Sequence, residues 1–245
     1  MKCLNCYNLV EKEFCPNCGQ KSSTHRFSLK YILDMAILNE YSMFDKGFLF
    51  TLKELFTRPG HGIREYIQGR RISYSNAFSL LMLLIAVVYL LDGYTGLKLA
   101  DITSKNGQDF ANSIDELTTN YPKLIYLINI PLMAITSYIF FRKSKVNFVE
   151  NIILNTYISS AIILFSLPFI LLTIFYKDKS ILSIIFIQLL PLITFCYTLC
   201  VYYQFFSEYK YKKRNIIFRS LFAILISSIL QGMTYMGIVG LKNIL

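Results

Sequence analysis

An all-α integral membrane helical bundle of about five transmembrane helices, with a small cysteine-bearing knuckle at its N-terminus and amphipathic helices before the first span, is the architecture this sequence predicts. Three observations carry that expectation. Apolar residues make up 54% of the chain and charged residues only 16%, where soluble domains carry about a quarter charged. The apolar excess is gathered into runs beyond residue 76, long enough for the ~20 helical residues that cross a ~30 Å hydrocarbon core. Four of the 6 cysteines fall within the first eighteen residues.

The N-terminal motif is Cys3-Leu-Asn-Cys6 followed by Cys15-Pro-Asn-Cys18-Gly-Gln. Each C-x-x-C turns two thiolates toward one point, and two such turns complete the tetrahedral four-sulfur shell that zinc prefers. Gly19 suits the left-handed turn that follows a knuckle, and Pro16 stiffens the second one. Cys3, Cys6, Cys15 and Cys18 are therefore the candidate ligands of a structural Zn2+, since four thiolates leave no open position for water. Iron in a four-sulfur shell and a cycling dithiol are the rival uses of the same residues. So small a hairpin has almost no core, and metal would supply most of its folding energy. Residues 1–26 lack an apolar signal-peptide core, and free thiols fit a reducing compartment, so the head is expected in the cytoplasm.

Between head and first span, Leu29, Ile32, Leu33, Ala36 and Ile37 recur at helical spacing behind Ser28, a plausible N-cap. A second amphipathic helix is expected behind Asp45, with Phe48, Leu49, Leu52, Leu55 and Phe56 on one side, ended by Arg58-Pro59-Gly60. His61, flanked by Gly60 and Gly62, is expected in a turn at the headgroup level. Such helices fit either a membrane interface or the end of the bundle itself. Arg58, Arg64, Arg70 and Arg71 have two readings. Guanidinium forks match phosphate or lipid headgroup oxygens, whereas positive-inside topology and pairing with Glu54 and Glu65 explain the same arginines more economically.

The cysteine motif, Gly47-Phe48-Leu49-Phe50-Thr51-Leu52-Lys53-Glu54-Leu55, Arg58-Pro59-Gly60, Arg64-Glu65-Tyr66-Ile67 and Gly69-Arg70-Arg71-Ile72-Ser73-Tyr74 together resemble a bacterial membrane family known as domain of unknown function 3667. The resemblance covers residues 3–79. It implies a multi-pass bacterial inner-membrane protein with a zinc-ribbon head, and it implies no activity. The chain departs from the family pattern at Ser75, where proline is usual.

Spans are expected at 76–94, 123–141, 152–176, 181–206 and 216–241, dividing the chain into a zinc ribbon (1–24), juxtamembrane helices (25–75) and the bundle (76–245). Arg58, Arg64, Arg70 and Arg71 precede the first span. Arg142, Lys143 and Lys145 follow the second, and Lys210, Lys212, Lys213 and Arg214 follow the fourth. The loop 92–121 is acidic and reads as a small cap. The positive-inside rule then puts the N-terminus in the cytoplasm and the C-terminus outside. The net charge of +10 borders the membrane segments, which points to anionic lipid as partner and away from nucleic acid.

Neither histidine sits in a metal or acid–base spacing, and no ionisable residue falls at mid-depth in a span, so no catalytic residue is expected. Asn129, Asn155, Gln188, Gln204 and Gln231 suit hydrogen bonds between helices or a narrow polar path, with kinks expected at Pro131, Pro168 and Pro191. Cys196 and Cys200 read as packing residues, and the small-residue spacing of Ser228 and Gly232 suits helix packing within or between chains. The leading expectation is a non-enzymatic anchor, scaffold or sensor whose zinc ribbon meets a cytosolic protein. A small-solute or lipid transporter regulated by the head is the alternative, and a lipid-modifying enzyme the third reading.

Overall fold

The computed structural model describes residues 1–28, 47–95, 98–103, 107–120 and 122–242. The expected helix at 29–37 and the cap at Asp45 lie outside these residues. Among the described residues the fold is helical, with two isolated β-bridges in the head. Helix α1 spans Phe48–Thr57, α2 Pro59–Ile67, α3 Ala77–Thr95, α4 Leu99–Ile102, α5 Gln108–Asn120, α6 Pro122–Phe140, α7 Phe148–Phe175, α8 Lys179–Phe206 and α9 Lys213–Lys242. Helices α3, α7, α8 and α9 are long and apolar enough to cross a membrane, whereas the apolar part of α6 is the shorter stretch Ile125–Phe140. The molecule is a membrane protein. Its last helix shows why, since Phe218, Phe222, Ile229, Met233 and Met236 are exposed on it, a surface matched to acyl chains and not to water.

The parallel pair α3 and α7 sets the thickness. At one end Tyr157 Oη donates to the carbonyl of Ser75 (2.5 Å); at the other Lys177 Nζ donates to the carbonyl of Thr95 (2.7 Å), a cation at a helix C-terminus. The twenty residues between Tyr157 and Lys177 rise about 30 Å, the depth of a hydrocarbon core. Helix α3 therefore runs a turn beyond its apolar core. The N-terminal extension of α7 projects past that slab, capped by Asn147, whose side chain accepts from Glu150 N while Glu150 reaches back to Asn147 N (both 2.8 Å).

The neutral polar residues tie helices together. Asn155 donates to Ser137 of α6 (3.1 Å) and accepts from Tyr202 of α8 (2.7 Å), and Ser137 also donates to Asn151 (2.8 Å). Tyr235 of α9 donates to Asn129 of α6 (2.6 Å). Phe141 stacks on Phe206 at 3.7 Å. Helices α6 and α7 continue through Pro131 and Pro168. Pro191 instead follows a π-helical turn, Ile184–Leu189, in which the Leu190 amide reaches back five residues to Ile185; a proline without a donor is accommodated where the ladder has already widened. At the far end Asp101 pairs with Lys179 (3.0 Å) and the Asp115 carboxylate accepts from the amides of Leu99 and Ala100, which closes the small cap made by α4 and α5.

The juxtamembrane segment differs from its sequence pattern. Helix α1 ends at Thr57, at the Arg58-Pro59-Gly60 break the sequence marks, and Pro59 then begins a further helix, α2, because its fixed φ and missing donor suit a first helical position. His61 is consequently within α2, not in a turn. Gly60 serves close packing: a Cβ there would lie 2.5 Å from Val201 O, Phe205 N and Gln204 Cβ of α8. Leu55, Ile63, Tyr66 and Ile67 enter the main core, which favours the packed reading of this segment, while Leu49 and Phe56 remain exposed. A Gly60→Ala substitution is expected to push α2 off α8 and to cost about 1–3 kcal/mol, the usual range for overpacking. A lowered unfolding temperature in detergent, with less folded protein recovered from membranes, checks this.

Candidate metal centre and its seat on the membrane collar

The two knuckles are built alike. In each, the residue before the first cysteine bridges to the third residue after the second, Lys2 to Leu9 and Phe14 to Lys21. The residue after each second cysteine is left-handed: Gly19 at φ 76°, as its sequence position suggests, and Tyr7 at φ 62°, which no glycine announced. Tyr7 N donates to Cys3 O (3.0 Å) and Gly19 N to Cys15 O (2.9 Å), closing the two turns. The only apolar side chain buried with the cysteines is Val10, among the described residues.

All four Sγ atoms lie within 4.8 Å of one another. Cys3 Sγ is 3.6 Å from Cys18 Sγ and Cys6 Sγ is 3.5 Å from Cys15 Sγ. A tetrahedron with metal–sulfur bonds of ~2.3 Å has edges of about 3.8 Å, so the cluster has the size of a metal shell and is not two disulfides. The thiols sit in unlike electrostatic surroundings. Hydrogen bonds from the Asn8 amide and then the Asn17 side chain draw the Cys6 thiol down to about 6, while burial pushes Cys18 up to about 12 against the pull of the Gln20 amide. Four thiolates so close repel one another, and a divalent cation is what allows all four to ionise together. The donor set fits a metal ion.

The head does not hang free. Gln20 is buried, and its side chain donates to Gly69 O (2.8 Å) and accepts from the amides of Arg71 (3.1 Å) and Ile72 (3.3 Å). Ser73 Oγ donates to Asn5 Oδ1 (3.3 Å). Leu4 rests on Gly69, where a Cβ would come within 2.6 Å of its Cδ1; at φ +114° that position also requires glycine. Just after the head, Arg26 forms an ion pair with Glu150 of α7 (2.6 Å), and Asn147 Nδ2 donates to Phe27 O (2.8 Å). The segment 69–75, which leads into α3, is thus held by the head from one side and by the bundle from the other.

Each candidate arginine has partners within the protein. Arg58 bridges Glu54 (2.7 Å) and Glu65 (2.8 Å), and Arg70 takes the second oxygen of Glu65 (2.8 Å), which Tyr74 also reaches through its hydroxyl (2.9 Å). Burial alone would raise the Glu65 carboxyl, but hydrogen bonds from Arg58 and Tyr74 and the charges of Arg58 and Arg70 hold it below the ordinary glutamate range. Arg64 is buried and donates to the last carbonyls of α8, Gln204 O (2.7 Å) and Phe205 O (3.0 Å), with Glu208 at 3.4 Å. A cation there satisfies carbonyls that the helix leaves open and meets the negative end of its dipole. His61 Nδ1 lies 2.6 Å from Arg64, and burial, then that charge, lower its pKa. Arg71 lies 3.6 Å over the Phe27 ring and donates to His25 O (2.6 Å). Gln204, seen in the sequence only as a polar residue in a span, accepts from the Gly60 amide (3.0 Å).

Residues 45–89 match the family model described as protein of unknown function (DUF3667). Over these residues the chain is similar to that family. The matched stretch runs from just before α1 to the middle of α3, and so covers the collar formed by α1 and α2, the 69–75 strap and the start of the first span. The four cysteines lie outside it. At Ser75 the backbone N–H donates to buried Thr51 Oγ1 (2.7 Å), a bond proline could not make there. No curated protein and no solved structure matches the chain.

Glu65 gives the collar a pH signature. Its folded pKa is depressed, so its contribution is present above the unfolded value of ~4.3 and is lost as pH falls through the lower folded value. Glu65→Gln should cost about 1–3 kcal/mol at pH 7, as for a charge-assisted hydrogen-bond hub, and should flatten the fall in stability below pH 5. Thermal melts from pH 3.5 to 7.5 on both proteins test it; parallel curves would sink the assignment.

Proposed function

We propose that this chain is a non-enzymatic scaffold or sensor of the bacterial cytoplasmic membrane, in which the four-cysteine head holds a structural Zn2+ and presents a contact surface to a cytosolic protein. Zinc is favoured over iron by the two short knuckles and their eight-residue spacer, and by a shell of four sulfurs with no open position. The head, the collar and the membrane bundle divide the chain near residues 24 and 75. The N-terminus lies in the cytoplasm and the C-terminus outside, with α6 counted as the fifth span.

One observation carries the interaction role. With its knuckle edge turned to the collar, the head still exposes Tyr7 (76%), Leu9 (70%) and Phe14 (48%). A 24-residue unit with so little core has no structural use for three large apolar side chains in water, and such residues are the usual anchors of a protein contact. The transport reading draws less support, because Asn129, Asn155 and Gln204 are spent on bonds between elements. Anionic lipid is the partner of the basic belt, where Arg58 and Arg70 keep 42% and 41% of their side chains exposed beside their glutamate partners.

Affinity purification from native membranes tests the reading on the intact protein, on Cys15→Ser/Cys18→Ser and on Leu9→Ser/Phe14→Ser, with metal and bound proteins quantified. The expected result is one zinc per chain in the intact protein and in the Leu9/Phe14 variant, none in the cysteine variant, and a cytosolic protein retained by the intact form alone. Retention by all three forms would end the interaction role, and absence of metal from the intact form would end the zinc assignment.

A further inference from the structure

We infer that the head acts within its own chain as a metal-dependent latch on the 69–75 strap, with Gln20 as the positioning residue that couples the cysteine cluster to the entry of the first membrane helix. The inference rests on the metal reading above and adds what occupancy does to the rest of the molecule.

Gln20 belongs to both sides of the contact. Its carbonyl accepts from Cys15 N (2.9 Å), and its amide hydrogen-bonds the Cys18 sulfur. Its side chain makes three bonds to the strap, to Gly69 O and to the amides of Arg71 and Ile72. A buried amide satisfied this fully is costly to leave unpaired, so its position and the strap's backbone specify each other. Leu4 and Asn5 of the first knuckle touch the same strap at Gly69 and Ser73. Both knuckles must therefore hold their turns for the contact to form.

The strap leads directly into the membrane. Tyr74 packs edge-on against Phe50 and Tyr66 and bonds Glu65, Ser75 is held by Thr51 and Tyr157, and α3 begins at Ala77. Among the described residues, Val10 is the one apolar side chain buried with the cysteines of the head. Loss of metal leaves four mutually crowded thiols and no apolar core, so the knuckles open and Gln20 leaves the strap. Residues 69–75 then keep the contacts made by the collar, by α7 and by the segment after the head, where Arg71 meets His25 and Phe27. An event at the thiols thus reaches the first span through hydrogen bonds within one chain.

Hydrogen exchange of the full-length protein in native-lipid nanodiscs decides this, comparing zinc-loaded and chelator-treated samples of the wild type and of Gln20→Leu, with zinc content measured on each. Chelation should speed exchange of the 69–75 amides of the wild type roughly tenfold or more, the factor expected from losing two or three buried hydrogen bonds. Gln20→Leu should retain its zinc, since its backbone bonds to the knuckle survive, yet show fast strap exchange whether or not zinc is present. A strap indifferent to chelation while zinc leaves would overturn the latch, as would a Gln20→Leu protein that responds as the wild type does. A wild-type protein that takes up no zinc at all would overturn the metal reading instead.

Discussion

The seating of α2 on the C-terminal end of α8 is the contact on which the rest of this end of the molecule depends. Gly60 lets the two backbones touch, and Arg64 fills the open carbonyls at residues 204 and 205. Burying a guanidinium is expensive unless its donors are used, and here two helix carbonyls, a carboxylate and an imidazole surround it. With α2 fixed, Glu65 faces Arg58, Arg70 and Tyr74 at once, and the strap is positioned for both α3 and the head.

This hierarchy explains the stretch that matches the family model as a set of structural requirements. Gly47 passes against the carbonyl of Ser73, where a Cβ would lie 2.6 Å away, and Gly60 passes against α8. Pro59 starts a helix. Glu65 and its arginines pair with one another, so the motif's charges are largely internal and its glycines mark close approaches. The same atoms leave two exposed arginine edges at the level where the chain enters the bilayer, which is why structural and headgroup readings of Arg58 and Arg70 meet at one place.

Head and bundle are joined by different physics. The bundle is held by apolar burial and by a few neutral hydrogen bonds such as Asn155 with Ser137 and Tyr202, which suit a medium where an unpaired polar group is costly. The head is organised around four cysteines whose sulfurs could bind one metal ion, and it is fastened to the collar by backbone-directed bonds from Gln20. A unit with so little core depends on that cluster in a way that the bundle does not.

The sequence by itself determined the cysteine cluster, the left-handed Gly19 and the apolar helices, because spacing, glycine freedom and hydrophobic length are local quantities. It also carried the pairing of collar arginines with Glu54 and Glu65, which are close in the chain. Pro59 opens α2 through its own fixed φ, which places His61 inside the helix; tertiary structure alone decided that Gly60 and Arg64 meet α8 and that Gln20 grips the strap, since each depends on atoms about 50 or 140 residues away. Periodicity reports that a face is apolar and never says what covers it. For α1 and α2 that choice was made by the surface of α8, by Tyr157 and by the strap, none of which is visible from their own residues.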